Sequence, residues 1–195
     1  MTTPQESGVP AEGAADGSSL HGDARAVLAT WTERDDEPAQ VALREEFVAF
    51  LDAHDDAMWR ACVEGHLTGS ALVLSADRTE VLLTLHPKFG IWLQMGGHCE
   101  PGDATMRDAA AREALEESGI EGLVLGDAPA RLDRHRVGCH GGSWHLDVQY
   151  VAVAPRDAVA TISDESDDLR WWPVDALPAE TDDALRRLVA TATSA

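Results

Sequence analysis

Basic residues are scarce in this chain of 195 residues: Lys and Arg number 15 against 35 Asp and Glu, a formal net charge of −20. Such a surface repels DNA, RNA and anionic lipid, which argues against a nucleic-acid polymer or a membrane as partner. A small phosphorylated ligand stays possible if a cation lies between it and the protein. Cysteine is also sparse. Cys62, Cys99 and Cys139 are odd in number and widely spaced, so they form neither a disulfide framework nor a CxxC pair. That pattern points to a reducing compartment. No basic segment followed by an apolar one opens the chain, so no signal peptide is expected. No apolar run is long enough to span a bilayer. The expected location is the cytoplasm.

What is present suffices for one domain with decoration: 44% of residues are hydrophobic, enough for a real core. Residues 1–20 are rich in Gly, Ser, Pro and Ala and predict a disordered tail. Residues 21–62 predict a helical N-terminal extension. It has a weak helix over 23–33, with Ala26, Val27, Leu28 and Trp31, and a second amphipathic helix from Pro38 to about residue 54, carrying Val41, Phe47, Val48 and Leu51. These helices either cap the main domain or form a homodimer contact. The main domain is expected over 63–193. GSALVLSADRTEVLLTLH reads as a hairpin, with strands over 71–75 and 80–86. A short strand over 91–95, strands over 123–135 and 144–154, a short strand over 169–172 and a last helix over 181–192 complete it. Trp171 and Trp172 fall on opposite faces of their strand.

Between them lies GGHCEPGDATMRDAAAREALEESGI, residues 96–120. Gly96 and Gly97 permit close backbone approach and unusual dihedrals, and Pro101-Gly102 marks a tight turn. Thr105 is a candidate N-cap with Asp108 three residues on, and Gly119 a candidate terminator. At about 100° per residue, Glu113, Glu116 and Glu117 fall on one face, with Ala110, Ala111, Ala114 and Leu115 broadly opposite, on the side expected to pack on a sheet. Three glutamates in the last turns oppose the helix dipole by roughly 0.3–1 kcal/mol each, and Arg112, four residues before Glu116, is the local counter-charge. A hard divalent cation such as Mg²⁺ or Mn²⁺ resolves the conflict. A merely solvated acidic face is the alternative, but it gives no reason for the glycine-rich loop.

The stretch resembles the signature of the Nudix hydrolase superfamily: G, five residues, E, seven residues, then R-E-U-x-E-E-x-G-U, with U a bulky aliphatic. Here Gly97, five residues and Asp103 are followed, after eight more, by Arg112, Glu113, Ala114, Leu115, Glu116, Glu117, Ser118, Gly119 and Ile120. Asp103 stands in for Glu, one extra residue precedes Arg112, and Ala114 replaces an aliphatic. The resemblance implies an α+β fold, an α/β/α sandwich with a mixed sheet. It also implies metal-dependent hydrolysis of a diphosphate linkage in a nucleoside diphosphate derivative or related small molecule. Carried over, Glu113, Glu117, Glu116 and the Gly97 carbonyl would hold Mg²⁺ or Mn²⁺, and Arg112 would orient the glutamates. The base would be Glu116, or Glu165 in the later acidic loop.

Other candidates come from position alone. His86 and Lys88 are placed to contact phosphate, His98 to contact phosphate or metal, and Trp92 or Trp144 to stack on a base. A zinc site from His135, His140, His145, Cys99 and Cys139 lacks ligand-pair spacing. Two other functions stay open. One is an isopentenyl-diphosphate isomerase-like enzyme, which His98 after glycine favours and Met95 in place of a cysteine disfavours. The other is a non-catalytic nucleotide sensor, which the retained glutamates disfavour.

Overall fold

The computed structural model describes residues 17–32, 34, 36–138, 141–163 and 166–194. In chain order the elements are α1 (Gly17–Thr30), α2 (Pro38–Ala53), β1 (Gly65–Leu74), β2 (Glu80–His86), β3 (Ile91–Leu93), β4 (Met95–His98), α3 (Met106–Ser118), β5 (Val124–Leu125), β6 (Arg131–Val137), β7 (Ser143–Val153), β8 (Asp168–Pro173) and α4 (Asp183–Thr193). The expected sandwich is present. β1 pairs in parallel with β7 from Gly65↔Trp144 to Leu74↔Val153, and every other pairing in the sheet is antiparallel. The alternation of side chains along β1 divides the interior. Leu67, Ala71 and Val73 join a core under α1, α2 and α3, whereas Leu72 and Leu74 join a second core under α4 with Leu185, Leu188 and Val189. Trp171 borders the first core and Trp172 the second, the opposed placement read from their adjacency.

Several boundaries differ from expectation. α1 begins at Gly17, inside the expected tail, because Leu20 is buried against the first core; residues 1–16 lie outside the described set. The single strand expected over 123–135 is β5 and β6, separated by an irregular segment, residues 126–130. The strand expected over 91–95 breaks at Gln94, and β4 then runs through both glycines.

The N-terminal helices cap the sheet of their own chain. Gln40 clamps β6: its Nε2 donates to Leu132 O at 3.0 Å and its Oε1 accepts from Leu132 N–H at 2.8 Å. Trp31 Nε1 donates to Pro129 O, and Asp23 accepts from Met106 N–H at the positive end of α3. Gln40→Leu leaves two buried backbone groups of β6 without their partners. It is expected to lower stability by about 2–4 kcal/mol, read as a shifted urea midpoint at unchanged m-value. Among the described residues, no helix is long and apolar enough to cross a membrane.

Candidate active site

β4 delivers the chain to α3. It lies antiparallel to the first half of β1, pairing Gly96 with Ser70, Gly97 with Gly69 and His98 with Thr68. The two glycines therefore extend a strand, and neither has the positive φ that their conformational freedom allowed. What matters is the missing Cβ. At Gly96 it would sit 2.4 Å from Ser70 Cβ, and at Gly97 2.6 Å from Glu113 Oε1. The turn comes later, where Asp103 N–H donates to Glu100 O and Glu100 N–H donates to Asp103 Oδ2. Thr105 Oγ1 then accepts from Asp108 N–H, and α3 ends at Gly119 with φ 64° in the left-handed region, as read from the sequence.

The buried stripe of α3 is Met106, Ala109, Ala110, Glu113, Ala114, Glu117 and Ser118. This corrects the expected faces. Glu113 and Glu117 lie on the packed side with the alanines, each only 9% exposed, whereas Leu115 is 45% exposed. The helix is rotated so that its glutamates abut β4: Gly96 N–H donates to Glu117 Oε1 at 2.9 Å. Glu116 stands at the rim, its side chain 56% exposed.

Arg112 organises this end. Its guanidinium donates to Glu113 Oε1 at 3.0 Å, to Glu116 Oε2 at 2.9 Å, to His98 O at 2.8 Å and to both oxygens of Asp103 at 3.1 Å. Burial acts to lower its pKa, but the hydrogen bonds and charges of Asp103 and Glu113 outweigh it and the net shift is upward. Asp103, 8% exposed, is thus bound to Arg112 and the turn.

A cavity of about 640 Å³ opens over this floor. His86, Lys88 and His98 line it, as do Glu113, Glu116 and Glu117. Trp92 does not. It is 7% exposed and packs edge-on against Trp172, with ring centroids 5.2 Å apart, in the core under α4. Trp144 is covered by Arg134, 3.7 Å from its ring centroid. Glu165, Cys139 and His140 lie outside the described residues; Ser166, which follows Glu165 in sequence, lines the cavity and hydrogen-bonds Thr84. Cys99 is no ligand in this state. Its thiol donates to Leu67 O, and burial pushes its pKa up to about 12.

A polar row across the sheet escaped the sequence reading. His66, Thr68 and Ser70 of β1 stand in register beside His145, Asp147 and Gln149 of β7. Asp147 accepts from Thr68 Oγ1 at 3.0 Å, Ser70 Oγ at 2.7 Å and Gln149 Nε2 at 3.2 Å. Burial raises its pKa against the opposing pull of Ser70 and His135. His145 is pushed down to about 3 by burial and by the neighbouring histidines, and burial also lowers His98. His135 is raised by its hydrogen bond to Asp133. The findable signal was HLDVQY, in which polar residues alternate with buried apolar ones as they do in HLTGSA.

A family model described as the NUDIX domain matches residues 65–192. Among solved structures, a NUDIX-family hydrolase from Clostridium perfringens is similar with a TM-score of 0.55 at 23% identity, over 66% of this chain and 95% of that one. The dihydroneopterin triphosphate pyrophosphohydrolase of E. coli is similar at 0.53 and 21%, over 63% and 91%. The NUDIX domain of Shewanella oneidensis NrtR, complexed with ADP ribose, is similar at 0.53 and 20%, over 75% and 96%. At these identities the structural likeness is one of fold.

Proposed function

The chain belongs to the Nudix family of pyrophosphohydrolases, and from that membership we propose that it hydrolyses a diphosphate linkage in a nucleoside diphosphate derivative with a divalent cation, Mg²⁺ or Mn²⁺, held at Glu113 and Glu117. The observation that carries the reading is the burial of these two carboxylates, one helical turn apart, Glu113 against Gly97 and Glu117 against Gly96. Two buried carboxylates four residues apart on one helix, with Arg112 already shared among Asp103, Glu113 and Glu116, suit a hard cation. The site therefore fits the ion that the family typically uses. The Gly97 carbonyl is the proposed further ligand, with Glu116 a ligand where it does not serve as the base. When bound, the ion neutralises diphosphate oxygens and makes water a better nucleophile. It also lets a chain of net charge −20 hold an anion.

The protein's own part is placement. Arg112 fixes the orientation of Glu113 and Glu116. Lys88 and His86 at the cavity wall, with His98 on its floor, are the proposed phosphate contacts. Glu116, exposed at the rim, is the proposed base, with Glu165 as the other candidate. We place the reaction in the cytoplasm, consistent with the buried free thiols Cys62 and Cys99.

The test is a panel of ADP-ribose, dinucleotide polyphosphates, oxidised nucleotides and non-nucleotide diphosphates with Mg²⁺ or Mn²⁺ in ¹⁸O water. Label in a phosphate product, abolished by EDTA and restored by the cation, is the expected result. Rearrangement of a diphosphate without label uptake would instead support the isomerase-like reading. Binding without turnover across the panel would support the sensor.

A further inference from the structure

Three histidines from three strands converge at the end of the polar row. His66 of β1 and His145 of β7 are directly paired, and His98 of β4 pairs with Thr68, two residues along β1. The ring centroids lie 5.0 Å (His66–His98), 4.8 Å (His66–His145) and 5.1 Å (His98–His145) apart, a nearly equilateral set. One ring nitrogen from each lies within 4.8 Å of the other two. Nε2 of His98 and Nε2 of His145 are both buried with no hydrogen-bond partner among the described residues. A buried polar atom left in that state is costly, so two at one point call for a ligand. His135 stacks edge-on against His145 at 5.4 Å, but its Nδ1 is already bound to Asp133, so it walls the cluster rather than joining it.

We propose that His66, His98 and His145 form a binding site for a borderline transition-metal ion, Zn²⁺ or Co²⁺, separate from the carboxylates of α3. Imidazole suits such ions and not Mg²⁺, whereas the α3 carboxylates prefer Mg²⁺ or Mn²⁺, so the two sites sort ions by ligand type. Tetrahedral bonds of 2.0–2.1 Å bring ligand nitrogens to roughly 3.4 Å from one another, which the rings reach from their present spacing by small rotations. Three protein nitrogens leave a fourth position for water or substrate. His98 and His145 both line the cavity, so that position faces the same space as Glu113 and Glu117. The ligands sit on paired strands, which holds the set rigidly. The inference does not rest on the proposed hydrolysis, and it takes His98 as a metal ligand in place of a phosphate contact.

The experiment is titration of full-length, metal-stripped protein with Co²⁺ in excess Mg²⁺, followed by visible d–d absorption, with Zn²⁺ competition. One equivalent of Co²⁺, displaced by Zn²⁺, is expected. His66→Gln and His145→Gln should each weaken it by at least about 100-fold, while Glu113→Gln/Glu117→Gln leaves it within about threefold. No stoichiometric uptake, uptake retained in folded His145→Gln, or uptake lost in the glutamate double variant would each overturn the site. If the histidine variants fail to fold by circular dichroism, ¹⁵N-imidazole NMR of the wild type decides. Zn²⁺ should shift the ring nitrogens of His66, His98 and His145 and leave those of His21 and His86, and unshifted signals from the three would overturn the proposal. Retained Zn²⁺ affinity with no diphosphatase activity would support this site while removing the proposed function, and the reverse result would do the opposite.

Discussion

Turnover of a diphosphate substrate by Glu117→Gln is expected to fall about 10³-fold or more, with thermal stability close to that of the wild type. Glutamine keeps the shape of the side chain and the oxygen that accepts from Gly96 N–H at 2.9 Å, so β4 and α3 stay joined. It removes the charge. A metal site contributes several kcal/mol to stabilising the transition state, and each 1.36 kcal/mol is tenfold in rate, which sets the scale. Stability has no comparable stake: removing one of two crowded carboxylates at the negative end of a helix relieves repulsion. The measurement is kcat at saturating Mg²⁺ alongside a thermal melt. Activity within tenfold of wild type in a folded variant would sink the assignment of Glu117 as a ligand, and Glu113→Gln is expected to behave alike.

α3 was legible because its signals are local. Thr105, Asp108 and Gly119 mark its ends through backbone chemistry that needs no partner. Its rotation was not. A helical wheel puts Glu113, Glu116 and Glu117 together, but which flank faces the sheet depends on where β4 lies. Burial of Glu113 and Glu117, and exposure of Leu115, follow from that packing. The close approach at Gly96-Gly97 was legible, but not what approaches: Ser70 of β1 and Glu113 of α3 crowd the two positions, and neither is adjacent in sequence. The N-terminal helices were recognisable by period, whereas their docking through Gln40 on Leu132 joins positions 92 apart in sequence. His66, Asp147 and Gln149 were missed because polar residues alternating along a strand read as a solvent-facing edge. Only the parallel pairing of β1 with β7 turns them inward as one row.

The displaced acid of the signature, Asp103, leads to the second large effect. Arg112→Ala is expected to cost about 3–5 kcal/mol of stability, the range for removing one partner of a buried ion pair. The Arg112 side chain is 20% exposed and that of Asp103 5%, so solvent does little to replace the lost bonds. The loss has a specific form. The Asp103 carboxyl would stay buried without its guanidinium partner, keeping, among the described residues, its contact to Glu100 N–H. Asn at position 103 can keep that contact and carries no charge. Asp103→Asn should therefore destabilise the wild type by about 1–3 kcal/mol, through the lost charge-assisted bonds to Arg112. In the Arg112→Ala background the same change should restore about 1–2 kcal/mol. That reversal of sign, read from urea unfolding of the four proteins in a double-mutant cycle, is what a pairing role requires. If Asp103 were instead a metal ligand, Asp103→Asn would raise the Mg²⁺ concentration needed for half-maximal activity and its stability effect would not depend on Arg112. The hydrogen bonds to both oxygens of Asp103 favour the first outcome: this carboxylate is the anchor from which Arg112 holds Glu113 and Glu116.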